Sequence, residues 1–173
     1  MTISASFSFS CSGTSFKDDL VSTVSDSFSS GTGLFPAMSY TFSDGSAAGQ
    51  ANKWHRSVNT IAAGATQSFD LAGSLVDPFG ATLTFLTIRA VVVSIVDPNG
   101  IKALYVGPQG VTNAWQGPFG DIDATSYLAT KSYVSFIDGL NLGWNVNAGY
   151  ADILPIMNSS AVSLQYVIWI VGT

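Results

Sequence analysis

The sequence predicts an all-β chain folded as a β-sandwich, jelly-roll-like, with an N-terminal strand or arm. Three observations point there. All eleven acidic residues are Asp and none is Glu; Glu is a good helix former, whereas Asp favours turns and caps. Apolar and polar residues alternate over several stretches, the period of a half-buried strand. Clusters of Gly, Pro, Asn and Asp separate those stretches at short intervals, as in sandwiches and jelly rolls.

Taken in order, residues 3–11 (ISASFSFSC) place Ile3, Ala5, Phe7, Phe9 and Cys11 on one face and serines on the other, a strand by its period of two. In FKDDLVSTVSDSF, Phe16, Leu20, Val24 and Phe28 stand four apart. That spacing suits a helix face, the Ser/Thr/Val content does not, and the segment is read as a short helix or irregular. Residues 37–43 repeat the strand pattern with Met38, Tyr40 and Phe42, and 44–52 form a small-residue turn region. Strands follow at 54–61 and around QSFDLAG. The run 82–96 (TLTFLTIRAVVVSIV) carries the longest β signal. The turn Asp97-Pro98-Asn99-Gly100 stops it, and KALYVG reads as the returning strand of a hairpin. A loop rich in Gly, Pro and aromatics spans 107–120. Then come YLATKSYVSFI, LGWNVN, DILPIMN and VSLQYVIWIVG, with Pro155 suggesting an edge position or bulge. No internal repeat or disordered linker is evident. Residues 1–43 are read as N-terminal strands or an arm able to pair with another chain. Residues 44–173 are read as the sandwich core, one structural unit with that arm.

Composition narrows the function. The chain has 173 residues, 47% of them hydrophobic and only 10% charged, against about 25% charged in ordinary soluble domains. Such a surface calls for partner subunits. A net charge of −5 with six scattered basic residues gives no basic patch, so no nucleic-acid partner is expected. The longest apolar run, AVVVSIV, is far short of the ~20 residues of a membrane helix. The N-terminus lacks the basic and apolar regions of a secretory signal. Cys11 is the single cysteine, which leaves no intrachain disulfide and no cysteine zinc site.

Candidates for chemistry have bland alternatives. Asp70 and Asp77 lie in TQSFDLAGSLVDPFGATLTFLTI. Asp77-Pro78 with Gly80 fits an Asx-type turn: the carboxylate accepts a nearby backbone N–H, Pro fixes φ and Gly relaxes it. Asp121-x-Asp123 begins like a calcium loop, but Ser126 stands where the sixth-position Gly belongs and no Glu exists for the twelfth. A solvated turn explains it. His55, the one histidine, has no GxSxG serine to serve and is read as a surface or interface residue of a strand. Trp115 and Phe119, in NAWQGPFGD, could stack on sugars, anchor protein contacts, or plug the end of the sandwich. Trp144 and Trp169 are read as core. No enzyme activity, metal or cofactor is expected.

The run FDLAGSLVDPFGATLTFLTIRAVVV, followed by ALYVGPQGVTNAWQGPFGD, NVNAGYADILPIMNSSA and VSLQYVIWIVGT, resembles a group of small β-rich virion proteins of tailed bacteriophages. The Gly-rich DGSAAGQAN segment extends the resemblance, which covers roughly residues 44–173. It implies a structural protein of the virion, assembled in the host cytoplasm: a capsid decoration (cement) or minor capsid protein packed as a symmetric homo-oligomer, a trimer suiting local three-folds. Its partners would be itself and the major capsid or other virion proteins. A tail or baseplate component is the alternative within that class, and a carbohydrate-binding sandwich used in adsorption the alternative outside it. Interface candidates are Ile3, Phe7, Phe9, Phe35, Trp115 and Phe119. The all-β expectation has a simple check. Far-UV circular dichroism should show under about a tenth helix, against the usual third, and a strong helical double minimum would refute it.

Overall fold

The computed structural model describes residues 4–9, 12–18, 23–29, 38–77, 79–96, 100, 102–139 and 141–173; side chains are described except at 7, 9, 12–18, 23–29, 38 and 39. The described chain is all-β. Its N-terminal strands are β1 (Ala5–Phe9), β2 (Ser12–Asp18), β3 (Thr23–Ser29), β4 (Met38–Asp44) and β5 (Gln50–Ala51). The body follows with β6 (Lys53–Ile61), β7 (Thr66–Asp70), β8 (Leu75–Val76), β9 (Thr82–Leu83), β10 (Thr87–Ile95) and β11 (Ala103–Val106). It ends with β12 (Ser126–Ala129), β13 (Tyr133–Ile137), β14 (Trp144–Asn145), β15 (Ile153–Asn158) and β16 (Leu164–Gly172). The one helical turn among the described residues is a 3₁₀ turn at Gly117–Phe119.

Two antiparallel sheets form a sandwich. Sheet I has the order β13-β10-β16-β6 and sheet II the order β12-β11-β15-β7. Alternation decides which side chains face inward. Val91, Val93 and Ile95 of β10 and Leu164, Tyr166, Ile168 and Ile170 of β16 meet Leu104, Val106, Leu128, Leu154 and Ile156 of sheet II in one buried core. With β8, β9 and β14 set aside and the eight strands on these two paths numbered by themselves in chain order, sheet I holds 6-3-8-1 and sheet II 5-4-7-2. The chain therefore crosses between sheets repeatedly, and its connections divide into two ends. Short ones join β6 to β7, β10 to β11, β12 to β13 and β15 to β16. Long ones join β7 to β10, β11 to β12 and β13 to β15.

Several sequence expectations are corrected. KALYVG is not the return of a hairpin: both flanks of β10 are taken by β13 and β16, so β11 crosses to sheet II and pairs with β12 and β15. Pro155 is not on an edge, since β15 lies between β11 and β7. Its missing N–H falls at the end of the β11 ladder, where Gly107 N–H still donates to the Pro155 carbonyl (3.2 Å). YLATKSYVSFI is two strands in different sheets, broken at Lys131 with φ 61°. Of residues 16–28, residues 16–18 and 23–28 belong to the antiparallel pair β2–β3 rather than a helix, the outcome favoured by hydroxyl and β-branched side chains; Leu20 of that reading lies outside the described residues.

The long 82–96 run is interrupted by a bulge. Ile88 pairs with Gly172 but Ala90 with Val171, so Arg89 is the extra residue. A bulge redirects a side chain, and here it also hands β10 from β13, paired at Ala90 to Ser94, to β14, paired at Thr87 and Ile88. The Arg89 side chain is 1% exposed. Nε donates to the Gln50 carbonyl (3.1 Å), Nη1 to Asn141 (2.7 Å), and Nη2 to Ser46 and Ala47 (3.1 Å each). Burial lowers the guanidinium pKa, and the Asp138 carboxylate opposes that shift. Asp138 in turn accepts from the backbone N–H of Asn141 and Gly143. Gly143 has φ 76°, and a Cβ there would lie 2.3 Å from the Ile88 carbonyl oxygen. Only glycine fits.

The segment so fastened carries a third layer, β1-β4-β5. Phe42 and Ala51, with Ala5, bury themselves against Ala90, Val171, Trp54 and Ile137 on the outer face of sheet I. Replacing Arg89 by Met takes the guanidinium donors from four carbonyls at once, of which Ala47 keeps the Gln50 N–H (3.0 Å). We expect Arg89→Met to cost roughly 3–5 kcal/mol, which lowers the Tm by about 10 °C in a domain of this size. Arg89→Lys should recover little of it, because one ammonium cannot reach four divergent acceptors.

Candidate functional surface

The 107–120 loop closes the long-connection end of the sandwich from inside. Trp115 is 1% exposed, and its Nε1–H donates to the Asn145 carbonyl (2.9 Å). Its ring meets Phe119 and Trp144 edge-on, each at 6.3 Å between centroids, and Phe119 meets Phe136 at 5.0 Å. Gly117, with φ 25°, lets the backbone cross the indole; a Cβ there would lie 2.3 Å from it. Of the three readings open from sequence, the geometry selects the plug. Trp115 is thereby corrected as an interface or sugar-stacking candidate, because its faces are already covered. Phe119 is half-buried in the same plug.

The remaining interface candidates lie elsewhere. Ile3 and Phe35 fall outside the described residues, and Phe7 and Phe9 are placed by backbone alone. The strand bearing them pairs with β4 of its own chain.

Both aspartate motifs are turns. Asp77 Oδ1 accepts the backbone N–H of Phe79 (2.8 Å) and Ala81 (2.9 Å), with Gly80 at φ 87°. Asp70 Oδ1 accepts from Ala72 N–H (2.9 Å), and Asp121 Oδ1 from Asp123 N–H (2.8 Å). Among the described residues no three His, Cys, Asp or Glu side chains gather in one place.

His55 is not at the surface; it is 7% exposed on the inward side of β6. Its Nδ1 lies 2.8 Å from the Val76 carbonyl and its Nε2 3.0 Å from Ser57 Oγ. A carbonyl only accepts, so Nδ1 carries the hydrogen and Nε2 accepts from the Ser57 hydroxyl. Asn59 Nδ2 then donates to Ser57 Oγ (2.8 Å), Gln67 Nε2 to Asn59 Oδ1 (3.1 Å), and the Tyr166 hydroxyl to Gln67 Oε1 (2.7 Å). Burial raises the Tyr166 pKa and keeps that phenol a donor. Every donor in the chain has one acceptor. The ladder bridges β6 and β7, edge strands of the two sheets that follow each other in sequence. Histidine, serine and asparagine two residues apart on one strand face were its signal in the sequence.

The outer surfaces carry what the sequence reading missed. Phe79 (79% exposed) and Tyr150 (77%) each stand in a tight turn. The first turn is pinned by Asp77, the second by Asn147 pairing with Ala151 and by buried Asp152 accepting from Gly149 N–H. Leu86 and Leu142 are exposed on the neighbouring long connections. On sheet I the outward rows are Ser135–Val92–Trp169–Arg56 and Tyr133–Ser94–Val167–Val58, of which Tyr133 and Val58 are exposed and Val167 is buried. Trp169 is thus corrected from core to outer face, half-buried under the Arg56 guanidinium at 5.5 Å. On sheet II, Tyr127 is exposed beside Tyr105, ring centroids 5.4 Å apart. Compared with known proteins, the chain matches no family model, no curated protein and no solved structure.

The ladder makes a specific prediction. Ser57→Ala leaves Asn59 Nδ2 without its acceptor and His55 Nε2 without its donor, and should cost about 1–2 kcal/mol. Thermal melts should show it, with the oligomeric state unchanged.

Proposed function

We propose that this chain is a structural subunit of a virion: a capsid decoration or minor capsid protein of a tailed bacteriophage, acting by symmetric packing. The observation that carries the reading is the surface. Large apolar side chains stand exposed on both sheet faces and at the long-connection end of a body with few charges. Exposed apolar area of this kind belongs to proteins that are covered by neighbours. The strand order supports it as well. We read the two four-stranded sheets, with the order 1-8-3-6 and 2-7-4-5, as jelly-roll-like, an architecture common among viral capsid domains, lectins and cupins. Architecture alone does not assign function; the exposed apolar surface is what favours a packed structural subunit among these. The deep polar groups, His55 and Arg89, are spent on the sandwich's own closure.

Two measurements test the proposal. The purified chain should run as an oligomer in light scattering, and quantitative mass spectrometry of purified particles should find it in numbers fixed by the shell's symmetry. A monomer at tens of micromolar that is absent from particles would overturn it. Selective retention on a glycan array, lost on Phe79→Ala or Tyr150→Ala, would favour the adsorption role instead.

A further inference from the structure

We propose that the β6–β7 ladder is a two-state latch set by one proton: neutral His55 makes it run from Tyr166 toward Val76, and protonated His55 reverses it from Ser57 to Tyr166. The inference is independent of the assembly role.

One end of the ladder is fixed. The Val76 carbonyl, 2.8 Å from Nδ1, only accepts, so Nδ1 keeps its hydrogen in either charge state. A second proton has one place to go, Nε2, and that nitrogen faces Ser57 Oγ at 3.0 Å. Solvent reaches the half-buried Ser57 beside it and supplies the proton. Ser57 Oγ then receives a hydrogen from Nε2, and it already receives one from Asn59 Nδ2 at 2.8 Å. Its own hydrogen, which had lain on Nε2, is left with a donor on either side.

The members beyond Ser57 are groups that can turn round. Asn59 and Gln67 are primary amides, and an amide rotated by half a turn presents nitrogen where oxygen stood. With Asn59 turned, its Oδ1 accepts from the Ser57 hydroxyl and its Nδ2 donates to Gln67. With Gln67 turned, its Oε1 accepts from Asn59 and its Nε2 donates to the Tyr166 oxygen. These are the contacts of 2.8, 3.1 and 2.7 Å already present, with the donor exchanged at each. The exchange needs no movement of the backbone. A carboxylate or an ammonium anywhere in the row would fix its direction; a hydroxyl, two amides and a phenol leave it reversible.

The two states differ at the far end. Tyr166 is 0% exposed, and burial raises its pKa, so the phenol keeps its hydrogen where imidazoles titrate. In the neutral state that hydrogen lies on Gln67 Oε1, the one hydrogen-bond partner of the hydroxyl among the described residues. In the reversed state it has lost that acceptor, which is costly in a buried place. A proton taken up by one state and refused by the other shifts the population between them. The event at His55 is thus felt at Tyr166, beyond Asn59, which itself stands about 13 Å along β6.

The other neighbours of the ring do not compete for this role. From β7 the Phe69 ring lies against the imidazole at 6.4 Å, and on β16 Ile170 stands opposite it. On β6 itself, Lys53 is two residues before His55, and Arg56 turns to the outer face over Trp169. Asp70 at the end of β7 and Asp77 after β8 accept from the backbone of their own turns, at Ala72, Phe79 and Ala81. Among the described residues no charged side chain hydrogen-bonds to the imidazole; its two partners are Val76 and Ser57.

Nuclear magnetic resonance on the full chain tests the latch. His55 is the single histidine, so one set of ring signals follows its charge from about pH 8 to about pH 5. The side-chain amides of Asn59 and Gln67 and the ring of Tyr166 should shift with the same midpoint. Nuclear Overhauser contacts should show the turn directly. The Asn59 NH2 should lie by Ser57 at the alkaline end and by Gln67 at the acid end, while the Gln67 NH2 moves from Asn59 to the Tyr166 ring. Ser57→Ala cuts the ladder, so His55 should still titrate while Asn59, Gln67 and Tyr166 stay still. Amides that keep their neighbours while His55 titrates would overturn the latch, because Ser57 then absorbs the proton's effect alone. Signals that follow His55 undiminished in Ser57→Ala would overturn it too, since the charge then acts through space. A ring that takes up no proton over this range leaves the ladder one-way and overturns it as well.

Discussion

A buried guanidinium at a bulge organises this molecule. Arg89 is the extra residue in β10, and that one insertion has three consequences. It breaks the longest apolar run so that its two halves take different partners. It turns a cation inward where only carbonyl oxygens meet it. It thereby ties the 45–50 and 138–143 segments, distant in sequence, to the middle of sheet I. Carbonyl dipoles satisfy the charge without a direct carboxylate partner, with Asp138 acting through the field and by holding the 141–143 backbone. A buried charge is tolerated only with its hydrogen bonds complete. The clamp is therefore all-or-none, and the third layer depends on it.

The sandwich closes its open sides by opposite chemistry. At the long-connection end, Trp115, Trp144, Phe119 and Phe136 fill the gap edge-on. The indole N–H is the polar group of that plug, and it finds the Asn145 carbonyl. Along the β6–β7 side the gap is filled by a one-way hydrogen-bond ladder from Tyr166 to Val76. Apolar packing tolerates some slippage, whereas a ladder in which each donor has one acceptor does not. The polar side therefore fixes how the edge strands β6 and β7 of the two sheets sit against each other, and the aromatic end supplies burial.

With its polar groups so employed, the molecule presents apolar rows and rigid aromatic tips outward. Phe79 and Tyr150 sit in turns stiffened by their own aspartates, so little entropy is lost when such tips are covered. The N-terminal ribbon is amphipathic in the strict sense, hydroxyls on one side and apolar positions on the other. Few charges stand in the way of contact between copies. The proposed role as a packed subunit rests on these properties.

The sequence by itself determined the class of structure and most strand positions, because period two and turn residues are local properties. Asp77 and Asp121 were legible as turns for the same reason: each needs only a backbone N–H two residues away. Pairing was not legible. Whether KALYVG returns beside β10 or crosses to the other sheet depends on which strands already flank β10, and those come later in the chain. Residues 16–28 carried a helical spacing, and the described ones among them, 16–18 and 23–28, pair as strands instead. Trp115 looked like a loop aromatic until the fold put Trp144 against its ring and the Asn145 carbonyl on its N–H, and His55 looked like a surface residue until Val76 and Ser57 met its two nitrogens. Arg89 gave no signal at all, since a basic residue in an apolar strand acquires its meaning only from carbonyls about fifty residues away on either side. Local periodicity chose the elements; long-range hydrogen bonding and burial, which no short window contains, decided what each side chain does.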